Sequence, residues 1–121
     1  MKIIIDAMGG DNAPEAVVEG AVLAAAELKC DITLVGPEDT LSTLLAGRGP
    51  SPRGEGRINT HPASQVIDMH DKATNAIRAK KDSSMAVAFG LLSEGAGDAM
   101  VTAGNTGAAL SGATLLVKRI K

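Results

Sequence analysis

Aromatic residues are almost missing from this chain: Phe89 is the only one, with no Trp and no Tyr. Stacking platforms for bases or sugars are built from aromatic faces, so binding of that kind is not expected. Positive charge is not in excess either. A net charge of −2 leaves no basic footprint for a phosphodiester backbone, so no nucleic acid is expected as a partner. The single cysteine, Cys30, excludes an internal disulfide and any CxxC metal or redox motif. Lying between a helix and a strand, it reads as a small buried hydrophobe rather than a nucleophile. His61 and His70 show no metal-ligand spacing, and neither HExxH nor HxxEH occurs, so no metal is expected. GxGxxG and Walker A sequences are absent, which counts against a dinucleotide or nucleoside triphosphate, and no cofactor is expected. No apolar run approaches the roughly 20 residues that cross a bilayer. Lys2 and three isoleucines followed by Asp6 make no signal-peptide core, so the cytoplasm is the expected compartment.

What remains is an ordinary globular composition, 45% apolar and 21% charged, in 121 residues, enough for one domain or part of one. Strand and helix signals alternate. Residues 2–6 read as a buried strand. Pro14 opens a helix over about 13–29, with Val17, Ala21, Ala24, Ala25 and Leu28 at helical spacing. Asp31–Val35 reads as a second strand stopped by Gly36-Pro37, and Glu38–Ala46 as a short helix. Gly47–Gly56, rich in glycine and proline, reads as a surface loop, and Arg57–His61 as a third strand. A loop through Pro62 and Asp68–Asp71 leads to a helix over Lys72–Lys81. Asp82-Ser83-Ser84 offers an N-cap to an apolar helix ending at Gly95, with Met85, Ala88, Phe89 and Leu92 as a buried stripe. Asp98–Thr102 reads as a fourth strand, and Ala103–Gly107 turns into a last helix reaching about Lys118.

This alternation means an α/β fold: a parallel sheet with helices on its faces. Short strands such as Ile3–Asp6 and Ala99–Thr102, apolar on both faces, suit such burial. The chain stops after a helix with no closing strand, so residues 1–121 read as the N-terminal part of a single, longer α/β domain.

In a parallel sheet every strand ends on one edge. Asp6 with Met8–Asn12, and Thr102 with Ala103–Gly107, therefore become candidates to converge there, where ligands of open α/β sheets bind. Both turns combine glycines with small polar residues at a helix start, a pattern that serves as plain capping or as a backbone N–H cradle for an anion. Lys72, Arg78, Lys80 and Lys81 fall close together, either as a solvated helix end or as a docking patch for an acidic partner. His70 lies between Asp68 and Asp71, two carboxylates able to raise its basicity.

Asp6-Ala-Met-Gly-Gly-Asp-Asn-Ala-Pro14, Asp71-Lys72, Lys80-Lys81-Asp82-Ser83-Ser84-Met85 and Ala103-Gly-Asn-Thr-Gly107 together resemble the bacterial phosphate acyltransferases of phospholipid synthesis, over the family's N-terminal part. His70 departs from the family pattern, which has an acidic residue there, and the Gly47–Gly56 loop is idiosyncratic. The resemblance implies a Rossmann-like three-layer α/β/α fold with a mostly parallel sheet. That fold is shared with phosphate acetyl- and butyryltransferases and with the isocitrate/isopropylmalate dehydrogenase-like family. It implies transfer of a fatty acyl group from acyl carrier protein to inorganic phosphate, a homodimer, and peripheral membrane association. A coenzyme A donor, or a non-catalytic fragment that only binds phosphate or a partner, are the alternatives.

Phosphate is the nucleophile in such a reaction, so no enzyme nucleophile is needed, and a thiol with a pKa of roughly 8.5 leaves readily. The protein must position phosphate and stabilise an oxyanion. Asp6, Lys72 and Asn105 are the candidate catalytic residues. Gly9, Gly10, Asp11, Asn12, Gly104, Thr106 and Gly107 are candidates to bind the phosphate, with Ser83 and Ser84, at another helix start, in second place.

Overall fold

The structure, a computed structural model, describes residues 1–28, 30–47, 57–68 and 70–117. The expected loop beyond Gly47 and the far end of the last helix lie outside the described residues. Three consecutive isoleucines form the middle of β1 (Lys2–Asp6), which suits their stiff, branched side chains. Strand β1 pairs in parallel with β2 (Asp31–Gly36) on one side and with β4 (Ala99–Val101) on the other, and β2 pairs in parallel with β3 (Ile58–Pro62). The described sheet has four strands in the order β3-β2-β1-β4. The chain thus builds outward from β1 to β3, then returns to the far side of β1. The order reverses between β1 and β4.

Helices cover both faces, giving the Rossmann-like α/β/α layering expected from the sequence. On one side α1 (Glu15–Leu28) and α2 (Glu38–Ala46) set Val18, Ala21, Ala25 and Leu41 against Ala7, Ile32 and Leu34. On the other, Ile4 and Val35 meet Ala88 of α4 (Ser84–Ser93). Beyond them α3 (Ala73–Ala79) and α5 (Thr106–Gly112) gather Ala76, Ile77, Met85, Phe89 and Ala108 into a second cluster. Cys30 is a buried member of the first cluster, as its place in the sequence indicates. Each fully buried Ile or Leu contributes about 1.5–3 kcal/mol of transfer free energy.

Three expectations need correction. In α1 the stripe centres on Val18, and Leu28 is 67% exposed, because the last helical turn reaches the amino edge of the sheet, where the layer beneath it ends. Strand β4 is shorter than expected and has one neighbour among the described residues, and Val101 is 54% exposed instead of covered on both faces. The final helix is not uniform: α5 passes at Ala113 into a π-helical turn, Ala113–Val117.

Gly112 lets α5 lie close to α4. A Cβ there would stand 2.6 Å from Phe89 Cδ2 and 3.1 Å from Ile77 Cδ1, so the buried Phe89 ring would have to shift. Gly112→Ala is therefore expected to destabilise the fold by about 1–3 kcal/mol through overpacking, read as a lower urea midpoint.

Candidate active site

The pairing of Ile5 with Val101 places the residues that follow them, Asp6 and Thr102, side by side at the carboxyl edge of the sheet. Asp6 is buried, 2% exposed, and its carboxyl is well supplied with donors. Oδ1 accepts from Ser84 Oγ at 2.5 Å and from the Met8 N–H at 3.2 Å, and Oδ2 accepts from Thr102 Oγ1 at 2.8 Å. Thr102 Oγ1 in turn accepts from the Gly104 N–H at 3.1 Å. One buried carboxyl thereby ties the turn after β1, the start of α4 and the turn after β4.

The two glycine turns meet over this knot. A Cβ on Gly9 would lie 2.8 Å from Gly104 N and 2.9 Å from Asp6 Oδ2, distances no side chain tolerates. Gly10 has φ +102°, a left-handed conformation that glycine adopts without strain. The N–H groups of Gly10 and Asp11 in one turn, and of Thr106 and Gly107 in the other, have no hydrogen-bond partner among the described residues. A cavity of about 320 Å³ opens here, lined by Met8, Gly10, Asp11, Val66, Ile67, Asp68, His70 and Gly104. It sits where the strand order reverses, the place at which open parallel sheets bind ligands.

Of the residues singled out in the sequence, Gly10, Asp11 and Gly104 line this cavity, while Gly9 packs against Gly104 and Asp6, and neither it nor Thr106 nor Gly107 is a lining residue. Asn12 is exposed and its carbonyl accepts from the Ala16 N–H at 3.1 Å, starting α1. Asn105 is 7% exposed and fully engaged. Its Oδ1 caps α5 by accepting from the Ala108 N–H at 3.1 Å, and its Nδ2 donates to the carbonyls of Asp68 at 3.1 Å and Asp71 at 3.2 Å. Ser83 caps α4, accepting from the Ala86 N–H at 3.1 Å, while Ser84 serves Asp6. Both serines are buried, and neither lines the cavity. Lys72 is exposed at the start of α3 and is also not a lining residue.

The loop before α3 supplies lining residues that the sequence had not assigned to binding, although His70 and its two flanking carboxylates stood out there. Val66, Ile67, Asp68 and His70 form one wall of the cavity. Within that loop Asp68 Oδ1 accepts from the His70 N–H at 2.7 Å and the Asp71 N–H at 3.0 Å. Lys80 is not a free member of the basic run, since its Nζ donates to Asp71 Oδ2 at 2.7 Å and to the Val66 carbonyl at 2.8 Å. The Asp-x-His-Asp spacing was the one visible signal, a side chain capping its own turn.

The Lys80 ammonium, followed by the Asp68 N–H, holds the Asp71 carboxyl below its usual 3.8. A carboxyl lowered by folding contributes stability that is complete above pH 3.8 and disappears as the pH falls through the lower, folded-state value. Asp71→Asn is therefore expected to melt below the wild type at pH 6, with the gap closing on acidification below pH 3.8. Ser84→Ala leaves the buried Asp6 carboxyl one donor short. It is expected to cost about 1–3 kcal/mol in denaturant unfolding.

Residues 1–121 match the model of a family described as "Fatty acid synthesis protein". The chain is 47% identical over 121 residues to the phosphate acyltransferase of Geobacter sulfurreducens, covering 100% of this chain and 34% of that relative. It is 45% identical over 121 residues to the phosphate acyltransferase of Clostridioides difficile, covering 100% of this chain and 35% of the relative. The chain thus spans about a third of the length of these curated relatives. With every residue matched, it belongs to the fatty acid synthesis protein family.

Proposed function

We propose that residues 1–121 carry the phosphate-binding portion of an acyltransferase that moves a fatty acyl group from acyl carrier protein to inorganic phosphate, giving acyl phosphate for phosphatidic acid synthesis. The observation that carries this reading is the meeting of the Gly9–Gly10 and Gly104 turns at the reversal of strand order, beside a cavity of about 320 Å³ lined by Gly10, Asp11 and Gly104, where the N–H groups of Gly10 and Asp11 have no partner among the described residues. The names of the relatives, phosphate acyltransferases, support it.

The chemistry asks little of side chains. A phosphate oxygen attacks the thioester carbonyl, a C–O bond forms, and the C–S bond breaks as the thiol departs with a proton. Backbone N–H groups on rigid turns position the phosphate and face the oxyanion without reorganising. His70 is the lining side chain able to carry positive charge toward the anion. Asp6 and Asn105 act on this reading as positioning residues, because their polar atoms are spent on the two turns and on the loop. Lys72, exposed at the start of α3, is on this reading a further source of positive charge.

Carrier docking falls to the other side of α3. Arg78 and Lys81 flank a second cavity, about 380 Å³, whose floor is Ile77, Ala86, Gly90, Leu115 and Leu116. Two cations over an apolar floor suit an acidic carrier protein. The same reading has the enzyme work as a homodimer in the cytoplasm and associate peripherally with the inner face of the membrane, where an amphiphilic acyl phosphate is passed on. No helix among the described residues is long and apolar enough to cross a membrane.

The test is acyl-phosphate formation from a long-chain acyl carrier protein and phosphate, using the gene's complete product. Gly9→Ala is expected to lower turnover by about 100-fold or more, since it displaces one turn against the other. Turnover equal to wild type overturns the site. Arg78→Glu with Lys81→Glu is expected to raise the KM for acyl carrier protein and flatten its salt dependence. A preference for acyl-CoA over the carrier substrate would assign the donor to coenzyme A.

A further inference from the structure

Lys80 stands behind the cavity and is not one of its lining residues, yet it grips both ends of the wall that is. Its Nζ donates to the Val66 carbonyl at 2.8 Å, where the wall begins, and to Asp71 Oδ2 at 2.7 Å, on the residue just past its last lining member, His70. The same Asp71 oxygen accepts from the Asp68 N–H at 2.8 Å. Asn105 adds a clamp from the opposite turn through the Asp68 and Asp71 carbonyls. The ammonium is thus the hub through which the backbone carrying Asp68 and His70 is held against the Gly104 turn. The side chains of the Lys80–Asp71 pair are 30% and 26% exposed, sheltered enough to keep one geometry.

We propose that Lys80 is the positioning residue of this cavity: it sets the 66–71 wall, so that ligand affinity depends on a side chain the ligand does not touch. The inference rests on the phosphate reading above and deepens it. An ammonium is suited to the task because its donors radiate from one compact charge and reach a carbonyl and a carboxylate together.

Lys80→Met and Lys80→Arg in the complete gene product provide the test. With Lys80→Met the KM for inorganic phosphate is expected to rise about tenfold through loss of two charge-assisted bonds behind the wall. The kcat of the folded enzyme is expected to stay within about threefold, and Lys80→Arg to recover most of the loss. Amide exchange at Asp68, His70 and Asp71 is expected to quicken in Lys80→Met, with the β1 and β2 amides unchanged. A fall in kcat with an unchanged KM for phosphate would indicate a purely structural residue and overturn the proposal. An unchanged KM with unchanged exchange overturns it as well. If the wild-type product forms no acyl phosphate, the functional reading fails by itself, and exchange alone judges Lys80: protection of the 66–71 amides equal to wild type in Lys80→Met rejects the positioning role, and faster exchange supports it.

Discussion

A carboxyl group taken out of water must find donors or lose several kcal/mol, and Asp6 finds them in three places far apart along the chain. The Met8 N–H comes from its own turn, the Ser84 hydroxyl from the start of α4, and the Thr102 hydroxyl from the end of β4. Satisfying this one group forces the two glycine turns and the head of α4 into a single arrangement. Gly9 follows from it, because the space beside the carboxyl and Gly104 leaves no room for a side chain. The wall of the cavity depends on the arrangement at one remove: Asn105 stands next to Gly104, and through it the loop carrying Asp68 is drawn in.

The result is a division of labour between side chains and backbone. Polar side chains at the carboxyl edge of the sheet (Asp6, Ser83, Ser84, Thr102 and Asn105) are spent on one another, on caps and on loops. The backbone N–H groups of Gly10 and Asp11, two lining residues, are left without a partner among the described residues. For the proposed reaction, in which phosphate brings its own nucleophilic oxygen and a thiol leaves readily, that is a coherent design. Rigid amide donors cost no reorganisation when charge develops, and rigidity is what the buried side chains provide. The basic run divides similarly. Lys80 turns inward to Asp71 and Val66, while Arg78 and Lys81 stay over the apolar cavity between α3, α4 and the π-helical turn.

Much of the fold was legible in the sequence because its signals are local. Ile3-Ile4-Ile5 needs both faces covered, Gly36-Pro37 stops β2, and Ser83 caps α4 in the place its residue type indicates. The Gly9-Gly10 and Gly104 turns were recognisable, and parallel strand order was enough to put them on one edge. Leu28 and Val101 were misjudged for a common reason: apolar spacing tells which way a residue points but not whether anything lies there.

The sequence by itself determined the alternation of strands and helices and the two glycine turns, since each is written in residue type and spacing, and its motifs carried the resemblance to the phosphate acyltransferases. The tertiary structure alone decided how the polar residues are used. Asp6 and Asn105 read as catalytic candidates from their positions, and only the contacts show that their polar atoms are already engaged. Lys72 and Lys80 are both lysines of one basic run, yet Lys80 alone meets a carboxylate and a carbonyl. Such choices depend on pairs separated by as many as 96 residues, and no local pattern encodes which distant donor a buried acceptor will meet.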